Sequence, residues 1–243
     1  MCCENEVLNQ LYSRRSVRVF TGAPIPEEAR RAILEAAAQA PSAGCQQLYT
    51  ILDIRSRELK EALVKTCDNQ PFIAQADMVL VFCADCRKWL EGFQDCGCNP
   101  RAPGVGDLLL AVSDSNIAAQ NAVTAAWSLG IGSCYIGDVM ENCEAQRELL
   151  KLPKYVFPAA MVVFGYPTQQ QLTREKPRRA PTEKIVYRDT YPEMTEDDRK
   201  ALFDRAPEKA YPDYMQAFCA RKYNSDFSRE MTRSVGEYLK DFL

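Results

Sequence analysis

The chain has 243 residues, 47% hydrophobic and 26% charged, with a net charge of -3. That size and composition fit one large domain or two small ones, and the charge argues against a polyanion-binding surface. Histidine is absent, which excludes Ser-His-Asp and Cys-His nucleophile pairs and any His-bearing zinc site. Carboxylates, thiols, tyrosines, lysines or a cofactor must carry whatever chemistry there is. No apolar run approaches the roughly 20 residues of a membrane helix. The opening Met1-Cys-Cys-Glu-Asn-Glu lacks the basic and apolar regions of a signal peptide. A cytoplasmic protein is expected, with no membrane or nucleic-acid partner and with its eleven cysteines reduced.

Residues 4–12 read as a short helix leading into Ser13-Arg-Arg-Ser-Val-Arg-Val-Phe20, where Arg14, Arg15 and Arg18 fall within five residues. Guanidinium forks suit phosphate oxygens, although a run of this kind also serves as a solvated basic face. Ile25-Pro-Glu-Glu28 starts a helix through Ala40, with proline and acids in the first turn. Pro41 stops it, and Pro41-Ser-Ala-Gly-Cys-Gln-Gln47 reads as a small-residue turn open to a flat ligand, or as an ordinary connection. Tyr49–Ile54 reads as a strand, Ser56–Thr66 as an amphipathic helix and Met78–Cys83 as a buried strand.

The stretch 85–106, with Pro100, Pro103 and four glycines, reads as an irregular, mobile excursion. The longest helix follows over about Asp107–Leu129, with Ala118, Ala122, Ala125 and Leu129 on a narrow face that permits close packing. Ser133–Ile136 is a short strand, Glu144–Leu150 a helix and Ala159–Gly165 a buried strand. Beyond it lies a second basic run, Lys176-Pro-Arg-Arg179. Composition shifts near Tyr191, so the expected division is a domain over 1–190 and a helical extension over 191–243. The extension opens with a capping pattern at Thr195–Asp198 and ends with a stripe of Met231, Val235, Tyr238 and Phe242. Cys83-x-x-Cys86 and Cys96-x-Cys98 offer a rival reading as four thiolates on zinc or an iron–sulfur centre. The buried-strand position of Cys83 and the one-residue spacing of the second pair favour plain structural cysteines, so no metal is expected.

In order, these pieces resemble the nitroreductase family of flavoproteins over roughly residues 8–190. Arg14–Phe20 resembles its opening flavin-phosphate motif, and Ala40–Gln47 its second flavin loop. Ala118–Asn121 with Leu129–Gly137 resembles the central helix and the loop beneath the flavin, while Pro158–Pro167 and Lys176–Arg179 resemble the last strand and the closing basic residues. The resemblance implies an α+β fold, a mostly antiparallel sheet flanked by helices, in an intertwined homodimer. It also implies FMN at the subunit interface, the long helix packing there and the chain termini embracing the partner.

Carried over, Arg14, Arg15, Ser16 and Arg18 hold the flavin phosphate and ribityl chain. Pro41, Ser42 and Ala43 line the ring with Cys45 and Gln47 nearby, and Tyr135, Ile136 and Gly137 offer backbone groups to its edge. Arg178, Arg179 and Lys176 close on the phosphate. Many members carry asparagine at the position of Cys45, and a proline–tryptophan pair where this chain has Leu48-Tyr49; a thiol donates and accepts poorly, so the role of Cys45 is open.

The activity implied is ping-pong transfer from NADPH or NADH through flavin N5 to a nitroaromatic, a quinone or another flavin, with no side chain as catalytic acid or base. The alternatives are an FMN protein of other chemistry (flavin destruction, dehalogenation or desaturation) and a non-enzymatic flavin or thiol redox sensor. Gly130-Ile-Gly132 is too short for a dinucleotide fingerprint, so the sequence does not choose between NADH and NADPH.

Overall fold

The computed structural model describes residues 5–203 and 210–243. The opening residues 1–4, on which the signal-peptide expectation rests, lie outside them. Helix α1 (Glu6–Ser13), capped by Asn5, precedes the arginine segment, and α2 (Glu27–Ala38) follows it. Strand β1 (Tyr49–Asp53) leads to α3 (Arg57–Thr66), whose first turn Ser56 caps through Leu59 N–H, then to α4 (Phe72–Gln75) and β2 (Met78–Asp85). Helices α5 (Arg87–Asp95) and α6 (Val105–Ser128) come next. They are followed by β3 (Gly132–Ile136), α7 (Cys143–Leu150), β4 (Val156–Gly165) and α8 (Gln169–Thr173). Helices α9 (Glu196–Phe203), α10 (Tyr211–Lys222) and α11 (Asp226–Leu239) complete the chain.

The four strands form one antiparallel sheet in the order β1-β2-β4-β3. Every residue of β2 and β4 is buried, because helices cover both faces. Strand alternation sends Met78, Leu80 and Phe82 to one face, against Ile33 and Ala37 of α2 and the alanines of α6. Val79, Val81 and Cys83 go to the other, against α3, α4, α7 and the C-terminal Tyr238 and Phe242. Pro158 is tolerated inside β4 because the register shifts there, with Cys83 opposite Pro158 and Phe82 opposite Ala160. This is the α+β fold, with an antiparallel sheet flanked by helices, that the sequence predicts.

The chain divides into two compact units, residues 1–173 with 230–243, and residues 174–229. In the first, Ala118, Ala122 and Ala126 of α6 are fully buried within their own chain, while Leu109, Leu110 and Ile117 stand 62%, 51% and 40% exposed on its other side. The C-terminal stripe is core. The Tyr238 ring meets Phe157 edge-on at 5.1 Å, Phe242 meets Tyr155 at 5.5 Å, and Ser234 Oγ accepts the Cys143 N–H. Residues 230–243 are thereby engaged with their own chain. In the second unit the predicted box caps α9: Thr195 Oγ1 accepts the Asp198 N–H and Asp198 Oδ2 accepts the Thr195 N–H.

The stretch 85–106 departs from the expected irregular excursion, since residues 87–95 are helical. Asp85 Oδ1 accepts the N–H groups of Arg87 and Lys88, and Arg87 pairs with Glu91 one turn on. Gly97, at φ +72°, closes the helix. The glycines and prolines that suggested disorder mostly follow it.

Candidate flavin site

The arginine segment leaves α1 at Ser13, whose Oγ accepts the Trp127 Nε1–H from the C-terminal end of α6 at 2.9 Å. It then lies along the outer edge of β3, with Ser16 bridged to Ser133 and the Val17 N–H donated to Ser133 O at 2.9 Å. Val17 is fully buried and sits so close to β3 that a Cβ on Gly132 would lie 2.5 Å from its Cγ2. Phe20 covers Gly165 in the same way, 2.7 Å from where a Cβ would be. Two glycines at strand ends therefore let the segment seat.

Residues 166–172 hold it from the other side. Gln171 Oε1 accepts the Arg18 N–H at 3.1 Å, Tyr166 O accepts the Thr21 N–H, and Arg15 donates to the Leu172 carbonyl. Arg15 thus spends donors on the scaffold. Among the described residues, neither Arg14 nor Arg18 is ion-paired to a carboxylate. Their charges fall beside Cys134 and Tyr135 of β3. Burial raises the Cys134 thiol and pushes the Tyr135 hydroxyl up to about 12, and Arg14 pulls both back. Past Ser133 no strand among the described residues covers the outer edge of β3, and Tyr135, Ile136 and Gly137 lead off it into a 3-10 turn.

The second loop is built on α6. Asp114 is 2% exposed, and its two carboxylate oxygens accept the N–H groups of Ala43 at 2.9 Å and Leu48 at 3.2 Å. Between these pins the backbone turns left-handed at Gly44, Cys45 and Gln47, with φ +55°, +55° and +48°. Asparagine tolerates that region better than cysteine, so Cys45 costs the loop some conformational ease while leaving its thiol exposed. Gln47 folds the loop on itself, donating its N–H to Ser42 Oγ and its amide to Ala38 O.

The predicted residues therefore fall into three places. Arg14, Arg15, Ser16 and Arg18 follow Ser13, which holds Trp127, along the edge of β3, whose Tyr135 reaches Gln120 of α6 before Ile136 and Gly137, whereas Pro41, Ser42, Ala43, Cys45 and Gln47 gather near Asp114. From Asp114, near the middle of α6, to Trp127 at its C-terminal end the helix rises about 20 Å, so one chain holds the Asp114 loop anchor and the Ser13 anchor well apart along α6. Lys176, Arg178 and Arg179 belong to the second unit. Asp114 and Gln171 were not singled out from the sequence. Asp114 had a signal, a lone carboxylate between Ala111 and Ala118 on an apolar face; Gln171 had none.

Of the four clustered cysteines, Cys83 and Cys86 are buried, their thiols pushed up to about 12 by desolvation, while Cys96 and Cys98 are exposed. Among the described residues no group of three or more His, Cys, Asp or Glu is arranged to hold a metal ion.

The family model described as "Nitroreductase family" matches residues 11–166. The chain belongs to the nitroreductase family. It is 32% identical over 237 residues to the FMN reductase [NAD(P)H] of Bacillus subtilis strain 168, covering 96% of this chain and 91% of that one. It is 39% identical over 187 residues to the oxygen-insensitive NADPH nitroreductase of Salmonella typhimurium, covering 76% and 75%. Among solved structures, the NADPH:FMN oxidoreductase from Vibrio harveyi complexed with NAD+ superimposes with a TM-score of 0.77 at 28% identity, covering 97% of each chain. Among the described residues of this nitroreductase, no helix is long and apolar enough to cross a membrane.

Proposed function

We propose that this nitroreductase binds FMN between two copies of the chain and uses it in a ping-pong cycle from NAD(P)H to an electron-poor acceptor. The class is that of its relatives: the chain is an NAD(P)H-dependent FMN oxidoreductase. The observation that carries the site is the pair Arg14 and Arg18, not ion-paired to a carboxylate among the described residues and held on a β3 edge that no other described strand covers beyond Ser133. Two guanidinium groups and the Ser16 hydroxyl are a donor set that fits a phosphate and a polyol chain, and the outer edge of β3 fits the polar rim of a flat heterocycle. When bound, FMN supplies a two-electron carrier that takes hydride from NAD(P)H and delivers it to the acceptor in a second half-reaction.

The residues of the chain bind and orient. Arg14, Ser16 and Arg18 hold the phosphate end with Arg15 beside them. Tyr135, Ile136 and Gly137 present backbone groups to the ring edge. Pro41, Ser42, Ala43, Cys45 and Gln47 cover the ring and exclude water. No side chain is assigned as acid or base, and protons come from solvent.

Because the anchors of the two groups, Asp114 and Trp127, stand about 20 Å apart along α6, a homodimer with antiparallel α6 helices supplies both groups to each site, twice over. Leu109, Leu110 and Ile117, exposed on the outer side of α6, give such a dimer its apolar contact.

The test is the visible spectrum of purified protein before and after anaerobic NADPH or NADH. Flavin bands that bleach with either nucleotide are expected. Flavin that neither nucleotide reduces would move the chain to another flavin chemistry or to sensing. Arg14→Ala and Arg18→Ala should each yield largely colourless protein, and full flavin retention in both would overturn the phosphate assignment.

A further inference from the structure

Helix α5 ends in Cys96-Gly-Cys98, two thiols one residue apart that the proposed flavin chemistry does not use. Cys96 caps the helix at φ -88° and ψ 8°, and its N–H donates to Gly92 O at 3.3 Å. Gly97 then turns left-handed at φ +72°, and the Cys98 N–H reaches back to Phe93 O at 2.9 Å. Bonds of this pattern across a left-handed glycine close a helix, so both cysteines are pinned to its last turn. Two extended residues span at most about 7 Å. The turn at Gly97 shortens that reach, bringing the two Cα atoms into the roughly 4.4–6.8 Å that a disulfide spans.

Both thiols are free and exposed. Nothing lies within 4 Å of where a Cβ on Gly97 would stand, so a reagent can approach between them. The other described cysteines differ in one of two ways. Cys67, Cys83, Cys86, Cys134 and Cys143 are buried, and desolvation raises the first four, which withholds their thiolates. Cys45 and Cys219 are exposed, but neither has a cysteine within two positions of it.

We propose that Cys96-Gly-Cys98 is a thiol–disulfide exchange site for low-molecular-weight disulfides, closing reversibly into a Cys96–Cys98 bond. One cysteine thiolate attacks a sulfur of the small disulfide, whose S–S bond breaks. A mixed disulfide forms and one small thiolate leaves. The second cysteine thiolate then attacks the protein sulfur of that mixed disulfide. The Cys96–Cys98 bond forms and the second small thiolate leaves. Two protein thiols have lost two electrons and two protons, and one small disulfide has gained both to become two thiols. Glycine between the cysteines gives the backbone the freedom to close so small a ring. A small, exposed ring is strained and readily reduced, and a loop this short gains little stability from its bond. The pair is therefore suited to cycling and not to stapling the fold. Nothing in this chemistry depends on the flavin assignment.

The experiment exposes the purified FMN-containing protein to glutathione disulfide at about pH 8, where thiolates are available. Alkylation in denaturant and digestion with trypsin follow. Residues 89–101 leave as one tryptic peptide, between Lys88 and Ala102, with Cys96 and Cys98 its only cysteines. In the parent this peptide should be lighter by two hydrogens and take no alkyl group, and dithiothreitol should restore both thiols. The peptides that carry Cys67 and Cys143 should stay fully alkylated. In Cys96→Ser and in Cys98→Ser the remaining thiol has no neighbour to expel glutathione, so the peptide should hold one glutathione. Two glutathiones on the parent peptide, a link from it to another cysteine, or two unreacted thiols would each overturn the proposal.

Discussion

At Asp114 a carboxylate 2% exposed on the inner side of α6 takes N–H bonds from both ends of the 43–48 loop. Charge-assisted bonds to backbone N–H groups are stronger than neutral ones, and removing a buried acceptor strands its donors. Asp114→Asn turns one acceptor into a donor facing an N–H. We expect it to cost about 1–3 kcal/mol in urea unfolding, and to weaken FMN binding as the loop loosens. Unchanged FMN affinity in a destabilised variant would confine Asp114 to a structural role.

Glu141, two residues past the 135–139 backbone of β3 and its turn, is 5% exposed, and its Oε1 has no hydrogen-bond partner among the described residues. Burial, then the charges of Asp138, Asp68 and Glu230, push its carboxyl up from 4.5 to about 7. The folded protein therefore prefers Glu141 neutral. Its contribution to stability is complete below about pH 4.5, drains as pH rises and is gone above about pH 7. Glu141→Gln should thus be more stable than the parent at pH 8, by about 1–3 kcal/mol on the linkage scale. The gap should close towards pH 5, and a gap independent of pH would refute this account.

At the scale of elements, the arginine segment is held by contacts its own sequence does not announce. Gly132 gives up its side chain to Val17, and Gly165 to Phe20. Gly132→Ala would place a methyl group 2.5 Å from Val17 Cγ2, forcing the segment off β3. Overpacking of this kind costs about 1–3 kcal/mol, and flavin content should fall with stability. Gly92→Ala in α5 is the control: nothing lies within 4 Å of the new Cβ, so helix propensity should make it neutral or stabilising by about 0.5–1 kcal/mol. Equal effects of the two substitutions on flavin content would show that seating on Gly132 is unimportant.

Elements with a clear period or cap were legible. Apolar runs marked β2 and β4, alanines marked α6, and Thr195–Asp198 marked α9. Helix α5 was not, because its nucleating cap, Asp85, lies in the preceding strand while the neighbouring glycines and prolines argued for a loop. The bonds from Gln171 to Arg18 and from Asp114 to Ala43 span more than 70 positions, and no local pattern encodes a bond of that range.

At the scale of the molecule, the motif order pointed to the family, yet residues named from it divide between anchors at the middle and at the C-terminal end of α6. If two chains pair with antiparallel α6 helices, each site takes its phosphate group from one chain and its ring loop from the partner. That arrangement makes a prediction that no single-chain site shares. Arg18→Ala damages the phosphate half and Asp114→Asn the loop half, so each homodimer should hold little flavin. Unfolded together in equal amounts and refolded, half the dimers combine the two chains. Each mixed dimer has one site with both defects and one with neither, so about a quarter of all sites should regain flavin and NADPH bleaching. Sites built within single chains would regain none, since every chain carries a defect. Absorbance of the refolded mixture, read against each variant refolded alone, separates the two architectures; recovery no better than the average of the two variants would rule out the shared site.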